Sequence, residues 1–255
     1  MSAEMLKVSG LQMRFGGLLA VDGIEFDVRR DEVFAIIGPN GAGKTTVFNC
    51  VGGFYKPTAG EIMLDGHSIA RLPSHQVARR GLVRTFQNIR LFKQLTVVEN
   101  LMVAQHLQVK AGLLHGLLAT PAYRHAERAA LGRAAEWLER MGLTSVANRE
   151  AGTLSYGHQR RLEIARCMIT KPRLLMLDEP AAGLNPQEKI ELQQLIDKLR
   201  REFNISVLLI EHDMGLVMGV SDRILVMEHG KPIMVGKPEE VRNDPRVIKA
   251  YLGED

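Results

Sequence analysis

The stretch Gly38-Pro39-Asn40-Gly41-Ala42-Gly43-Lys44-Thr45, followed by Thr46, places a glycine four residues ahead of a Gly-Lys-Thr triplet. Backbone N–H groups of such a glycine-rich turn converge on one point, and a helix starting there adds its partial positive charge. Lys44 is then placed to reach the β- and γ-phosphates of a nucleotide, and the Thr45 hydroxyl to hold Mg²⁺. A turn that merely joins a strand to a helix would account for Gly38 and Gly43, but not for Lys44-Thr45 beside them. Three further apolar runs also end in polar residues: Gln87 after residues 83–86, Asp178-Glu179 after 173–177, and His212 after 206–210. Taken singly, Asp178-Glu179 could be a solvated strand end and His212 a hydrogen-bonded core histidine. Taken together, these ends offer a phosphate cradle, Mg²⁺ ligands, a carboxylate base and a histidine, the inventory of an ATP hydrolase that works by positioning and electrostatics.

The elements that must hold these groups are legible in outline. Residues 33–37, Val-Phe-Ala-Ile-Ile, are short, apolar and β-branched, as in a buried parallel strand. Thr46 onward reads as the first turns of a helix. Residues 6–13 alternate loosely and suggest an edge strand, with 24–28 its antiparallel neighbour. Phe15 falls in the link between them; it is either a loop residue capping the core or an aromatic surface for a nucleotide base. Residues 61–64 and 83–86 read as strands. From about 98 to 141 the pattern is helical, with Leu131, Ala134, Ala135, Leu138 and Met141 at helical spacing. The apolar stretch 113–118 fits a satellite core contact or a docking surface. Ser155 is placed as a helix N-cap, and Pro186 starts a helix at its first turn. Residues 223–235 suggest a hairpin around His229-Gly230, and two short helices follow.

Composition narrows the class. The chain has 255 residues and a net charge of +4, which suits a polyanionic ligand or an anionic surface without requiring nucleic acid. Its two cysteines, Cys50 and Cys167, offer no disulfide framework or metal-ligand spacing, so a reduced, cytoplasmic compartment is expected. The first residues lack the charged-then-apolar pattern of a secretory leader. No apolar run is long enough to span a bilayer, so any membrane role is expected to come through a partner.

With these residues in view, the chain resembles the ATP-binding subunits of ABC transporters over nearly its whole length. Leu154-Ser155-Tyr156-Gly157-His158 resembles the Leu-Ser-Gly-Gly-Gln signature of that family, with Tyr156 and His158 as departures and Ser155 and Gly157 kept. The resemblance implies an α/β fold: a P-loop ATPase with a RecA-like parallel-sheet core, an antiparallel β subdomain and a helical signature subdomain. It implies one ATPase domain over 1–255, with the core and β subdomain at about 1–95 and 171–255 and the helical subdomain at about 96–170.

The resemblance also implies roles. Phe15 stacks on adenine, and Gly38, Pro39, Asn40, Gly41, Ala42, Gly43, Lys44, Thr45 and Thr46 cradle the phosphates of ATP. Thr45, Gln87 and Asp178 hold Mg²⁺, partly through water. Glu179 activates the attacking water, and His212 contacts the γ-phosphate. Ser155 and Gly157 meet the γ-phosphate of a second ATPase subunit in a head-to-tail dimer, towards which the loop Ala181-Ala182-Gly183-Leu184-Asn185 crosses. Two transmembrane permease subunits complete the assembly at the inner face of a bacterial cell membrane, and a periplasmic amino-acid-binding protein acts indirectly.

Arg160-Arg161-Leu162-Glu163-Ile164-Ala165-Arg166, the run from Asp178 to Pro186 and the ending Ala250-Tyr251-Leu252-Gly253-Glu254 are similar to the high-affinity branched-chain amino-acid importers. The insertion at about 111–124 is similar to that of the first of their two ATPase subunits. The alternatives are an ATPase for lipopolysaccharide export or another ABC transporter, which shares part of this pattern, and a soluble ABC ATPase outside transport.

Overall fold

The computed structural model describes residues 4–105 and 121–252; the apolar stretch 113–118, most of the insertion at 111–124 and the final Gly253-Glu254 lie outside them. The chain divides into two compact units: residues up to Arg84 together with those from Arg173 onward, and residues Thr85–Pro172.

In the first unit, three strands are buried at every residue: β3 (Val33–Ile37), β7 (Leu174–Asp178) and β8 (Ser206–Ile210). Such continuous apolar runs suit a parallel sheet covered on both faces. With β6 (Leu82–Arg84), β9 (Arg223–Glu228) and β10 (Lys231–Gly236) they form a six-stranded sheet in the order β10-β9-β3-β8-β7-β6. It is parallel except for β10, which pairs antiparallel with β9 at one edge. The carboxyl ends of β3, β8 and β7 are therefore neighbours, and those ends carry the phosphate loop, His212 and Asp178-Glu179.

The second sheet of this unit, in the order β2-β1-β4-β5, is antiparallel and built from β1 (Glu4–Phe15), β2 (Leu18–Arg29), β4 (Ala59–Leu64) and β5 (His67–Ser68). Residues 6–13 are thus not an edge strand: β1 lies between β2 and β4. Alternation reports which side-chain face is buried, not which backbone edges are paired, and the β4 partner comes from about fifty residues further along. Phe15 closes β1 rather than standing in a loop. The sheets meet where the Phe26 and Phe34 rings stack at 5.3 Å. Burying side chains of this size contributes about 1.5–3 kcal/mol each. Arg223 covers the Phe34 ring and grips both oxygens of Asp27, at 3.0 and 3.1 Å, which holds that carboxyl below its usual range.

The second unit is helical, with α3 (Val97–Ala104), α4 (Pro121–Arg140) and α5 (Tyr156–Met168) following the helices α1 (Lys44–Val51) and α2 (Ser74–Arg79) of the first. Thr96 and Glu99 form a reciprocal capping box on α3. On and just after α4, Ala134, Leu138 and Met141 are buried as expected, whereas Leu131 and Ala135 are exposed. The buried face runs through Ala130, Ala134, Trp137, Leu138 and Met141, a spacing of four, three, one and three that the large Trp137 ring centres on the core. Among the described residues no helix is long and apolar enough to cross a membrane.

A buried ion pair fastens the start of this unit to α5. Arg160 is 1% exposed and bonds Glu163 at 2.7 Å, the carbonyls of Phe86 and Gln87 at 3.0 and 3.2 Å, and the Tyr156 hydroxyl at 3.1 Å. Glu163 in turn accepts the N–H groups of Phe86 and Arg90. Burial pushes the Glu163 carboxyl up, and Arg160 opposes that shift. Removing one member of such a pair strands the other charge. Glu163→Ala is expected to cost about 3–5 kcal/mol in urea unfolding; a loss below about 1 kcal/mol, the range of an exposed pair, would contradict this packing.

Candidate functional site

The phosphate loop follows from steric necessity. β3 runs into Gly38, where an added Cβ would lie 2.1 Å from the Met227 carbonyl oxygen, inside any tolerable contact. Gly43 has φ of 93°, and a Cβ there would lie 2.8 Å from the Ala20 carbonyl oxygen. Only glycine lets the chain pass this close to β2 and β9. The β9–β10 turn straps the loop from outside: the Gly230 N–H donates to the Ala42 carbonyl at 3.1 Å, and the Asp22 N–H donates to the Gly230 carbonyl at 2.8 Å. Gly43 precedes α1 without a side-chain cap, so the first N–H groups of that helix are available to an anion.

Lys44, 6% exposed, turns its ammonium back onto the Gly38 and Pro39 carbonyls at 2.7 and 2.9 Å. Burial lowers its pKa, and the charge of Glu179 partly restores it. Around it opens a cavity of about 430 Å³ lined by residues 18–20, 40–46, Glu179, His212 and His229. All of these belong to the first unit. The structure therefore brings Lys44, Thr45, Thr46, Glu179 and His212 to one place.

Glu179 sits just past β7 with φ of 46°, a left-handed conformation rare for such a side chain and common at functional positions. Its N–H donates to the Ile210 carbonyl at 2.9 Å, and its Oε1 lies 2.8 Å from His212 Nε2. The neighbouring Asp178 is buried and pairs with Arg84 at 2.5 Å. Glu211 is a residue the sequence reading passed over. Its buried carboxylate accepts the N–H groups of Ala181, His212 and Asp213 at 2.7, 2.7 and 3.1 Å. It so joins the loop after Glu179 to the histidine turn. A charged residue at a strand end gave no sign of partners thirty positions away. His229 was likewise read only as part of a hairpin turn.

Phe15 lies outside the cavity lining; it is 42% exposed and meets Tyr55 edge-on at 5.4 Å. Gln87, Ser155 and Gly157 belong to the second unit. Ser155 caps α5, accepting the His158 N–H at 3.4 Å. Tyr156, the first departure from the signature, is accounted for by its hydroxyl on Arg160. The loop Ala181 to Asn185 leads into α6 (Pro186–Phe203), whose N-terminus is closed by an Asn185–Glu188 capping box with Pro186 in the first turn.

Among the described residues no group of three or more His, Cys, Asp or Glu side chains could hold a metal ion by itself. The Thr45 hydroxyl and the Asp178 carboxylate, with phosphate oxygens, would instead make a sparse, hard-oxygen donor set that fits Mg²⁺ on a nucleotide.

The profile described as ABC transporter matches residues 21–182, and that described as branched-chain amino acid ATP-binding cassette transporter matches residues 231–255. The chain belongs to the ABC transporter family of nucleotide-binding ATPases. It is 63% identical over 254 residues, 100% of each chain, to the high-affinity branched-chain amino acid transport ATP-binding protein BraF of Pseudomonas aeruginosa. It is 61% identical, over 100% of each chain, to LivG of Escherichia coli K12, which carries the same description. Among solved structures, the ADP conformation of MJ1267, an ATP-binding cassette of an ABC transporter, matches with a TM-score of 0.85 and 31% identity over 98% of this chain and 99% of that one.

The steric reading of the loop is open to test. Gly38→Ala must push the loop off β9, and a misplacement of about 1 Å is expected to lower ATP turnover about 100-fold. Steady-state ATPase assays measure it; turnover equal to wild type would contradict the geometry.

Proposed function

We propose that this chain is the ATP-hydrolysing subunit of an importer for branched-chain amino acids. The observation that carries the mechanism is the single cavity that holds the Lys44 ammonium beside the Glu179–His212 pair. Residues 38–46 bind the triphosphate through backbone N–H groups and Lys44, and Phe15 stacks on the adenine. Glu179 orients the attacking water and draws on its proton, while His212 holds the Glu179 carboxylate and contacts the γ-phosphate. Thr45, Asp178 and Gln87 hold Mg²⁺, directly or through water. Held there, Mg²⁺ would supply positive charge to the phosphates.

The cavity is lined by the first unit alone, whereas Ser155 and Gly157 lie in the second. Identity over full length to the branched-chain transport proteins supports the rest of the reading. A second, similar ATPase subunit supplies its own signature Ser and Gly to this site in a head-to-tail dimer. ATP then joins the two subunits, closure moves two permease subunits, and hydrolysis reopens the pair. A periplasmic amino-acid-binding protein delivers the solute. The subunit sits at the inner face of the cell membrane through its permeases, with residues 89–95, mixed apolar and basic, as part of the receiving groove.

Two measurements test this. Glu179→Gln is expected to keep ATP binding and lower turnover about 10²–10⁴-fold, the contribution of a general base; turnover near wild type would overturn its role. Co-purification from membranes tests the transport reading. Charge reversal at Arg90 and Lys93 is expected to remove permease association and leucine-stimulated ATPase while ATP binding by the isolated subunit persists. Recovery only in complexes free of membrane proteins would overturn import and leave the ATPase reading standing.

A further inference from the structure

Arg84 is the last residue of β6 and of the first of the two segments that make up the first unit; the next residue, Thr85, begins the second unit. Its side chain is 7% exposed and turned into the first unit. One terminal nitrogen, Nη1, donates to Asn49 Oδ1 on α1 at 2.7 Å; the other, Nη2, donates to Asp178 Oδ2 at the end of β7 at 2.5 Å. The guanidinium lies over the Phe48 and Phe54 rings at 5.3 and 5.5 Å. α1 is the helix that begins at Lys44, and β7 carries Asp178 and Glu179. A flat fork fixed by two aromatic rings and two hydrogen bonds has little freedom, so it transmits the position of α1 to Asp178. A lysine has one compact charge and cannot span both partners.

We infer that Arg84 is a positioning residue that sets the Asp178 carboxylate against the phosphate-loop helix for binding of the nucleotide-bound divalent cation. The inference rests on the proposed Mg²⁺ role of Asp178. Arg84 touches neither nucleotide nor metal in this account; it acts on the carboxylate, as groups behind metal ligands do, where loss of one such partner costs about 10- to 100-fold in metal affinity.

The test is binding of a fluorescent ADP analogue to the full chain, titrated with Mg²⁺ and repeated in EDTA, for the wild type, Arg84→Met, Arg84→Lys, Asn49→Ala and Asp178→Asn. Arg84→Met is expected to raise the Mg²⁺ concentration needed for half-maximal effect about 10- to 100-fold, with affinity in EDTA unchanged. Arg84→Lys and Asn49→Ala are expected to give smaller shifts of the same sign. Equal losses with and without Mg²⁺ would overturn the inference, since that is the mark of a purely structural role. Tighter Mg²⁺ binding would also overturn it, since Arg84 would then compete with the cation. Should Arg84→Met fail to fold, the Arg84→Lys and Asn49→Ala titrations decide in the same way. Asp178→Asn separates the two levels. If it leaves the Mg²⁺ response intact, the metal role of Asp178 fails; if it abolishes the response while the Arg84 variants keep it, the inference alone fails.

Discussion

The Lys44 ammonium is buried in the loop that precedes its own helix, with the Gly38 and Pro39 carbonyl oxygens as partners. Neutral carbonyls stabilise a buried cation less than an anion does, and burial accordingly lowers its pKa. The loop's own atoms therefore supply no negative charge at the point where its N–H groups and the N-terminus of α1 converge, and Glu179 makes up only part of it. An incoming phosphate would relieve that deficit. Much of the first unit serves to keep this arrangement tight, from the glycines that admit β2 and β9 to the Gly230 strap.

The groups proposed to act on ATP are set by the same sheet. Parallel pairing of β3 with β8 and of β8 with β7 fixes the loop, His212 and Glu179 at adjacent strand ends. Glu211 then joins the two carboxylate and histidine turns through three N–H groups. The left-handed backbone at Glu179 is held by its own N–H on the Ile210 carbonyl, so the carboxylate faces the cavity without depending on a flexible loop. Electrostatic catalysis of phosphoryl transfer needs this kind of fixed geometry.

What was legible in the sequence is what local sterics and periodicity encode. The glycine spacing before Lys44-Thr45, the apolar runs of β3, β7 and β8, the Ser155 cap and the Pro186 helix start each depend on neighbours within a few residues. What was hidden depends on distant partners. The placement of β1 inside its sheet depends on β4, Glu211 on Ala181, and the Arg84 bridge on Asp178, ninety-four positions away. The face of α4 was displaced because Trp137 outweighs the exposed Leu131 in choosing what is buried. The reason for Tyr156 in the signature was hidden too, since its hydroxyl accepts from the buried Arg160.

The most direct measurement is a crystal structure of the chain with ADP bound. The diphosphate is expected in the cavity over residues 40–46, with Lys44 Nζ turned from the two carbonyls to within about 3 Å of a phosphate oxygen. A diphosphate bound elsewhere, with Lys44 still on the Gly38 and Pro39 carbonyls, would contradict this placement.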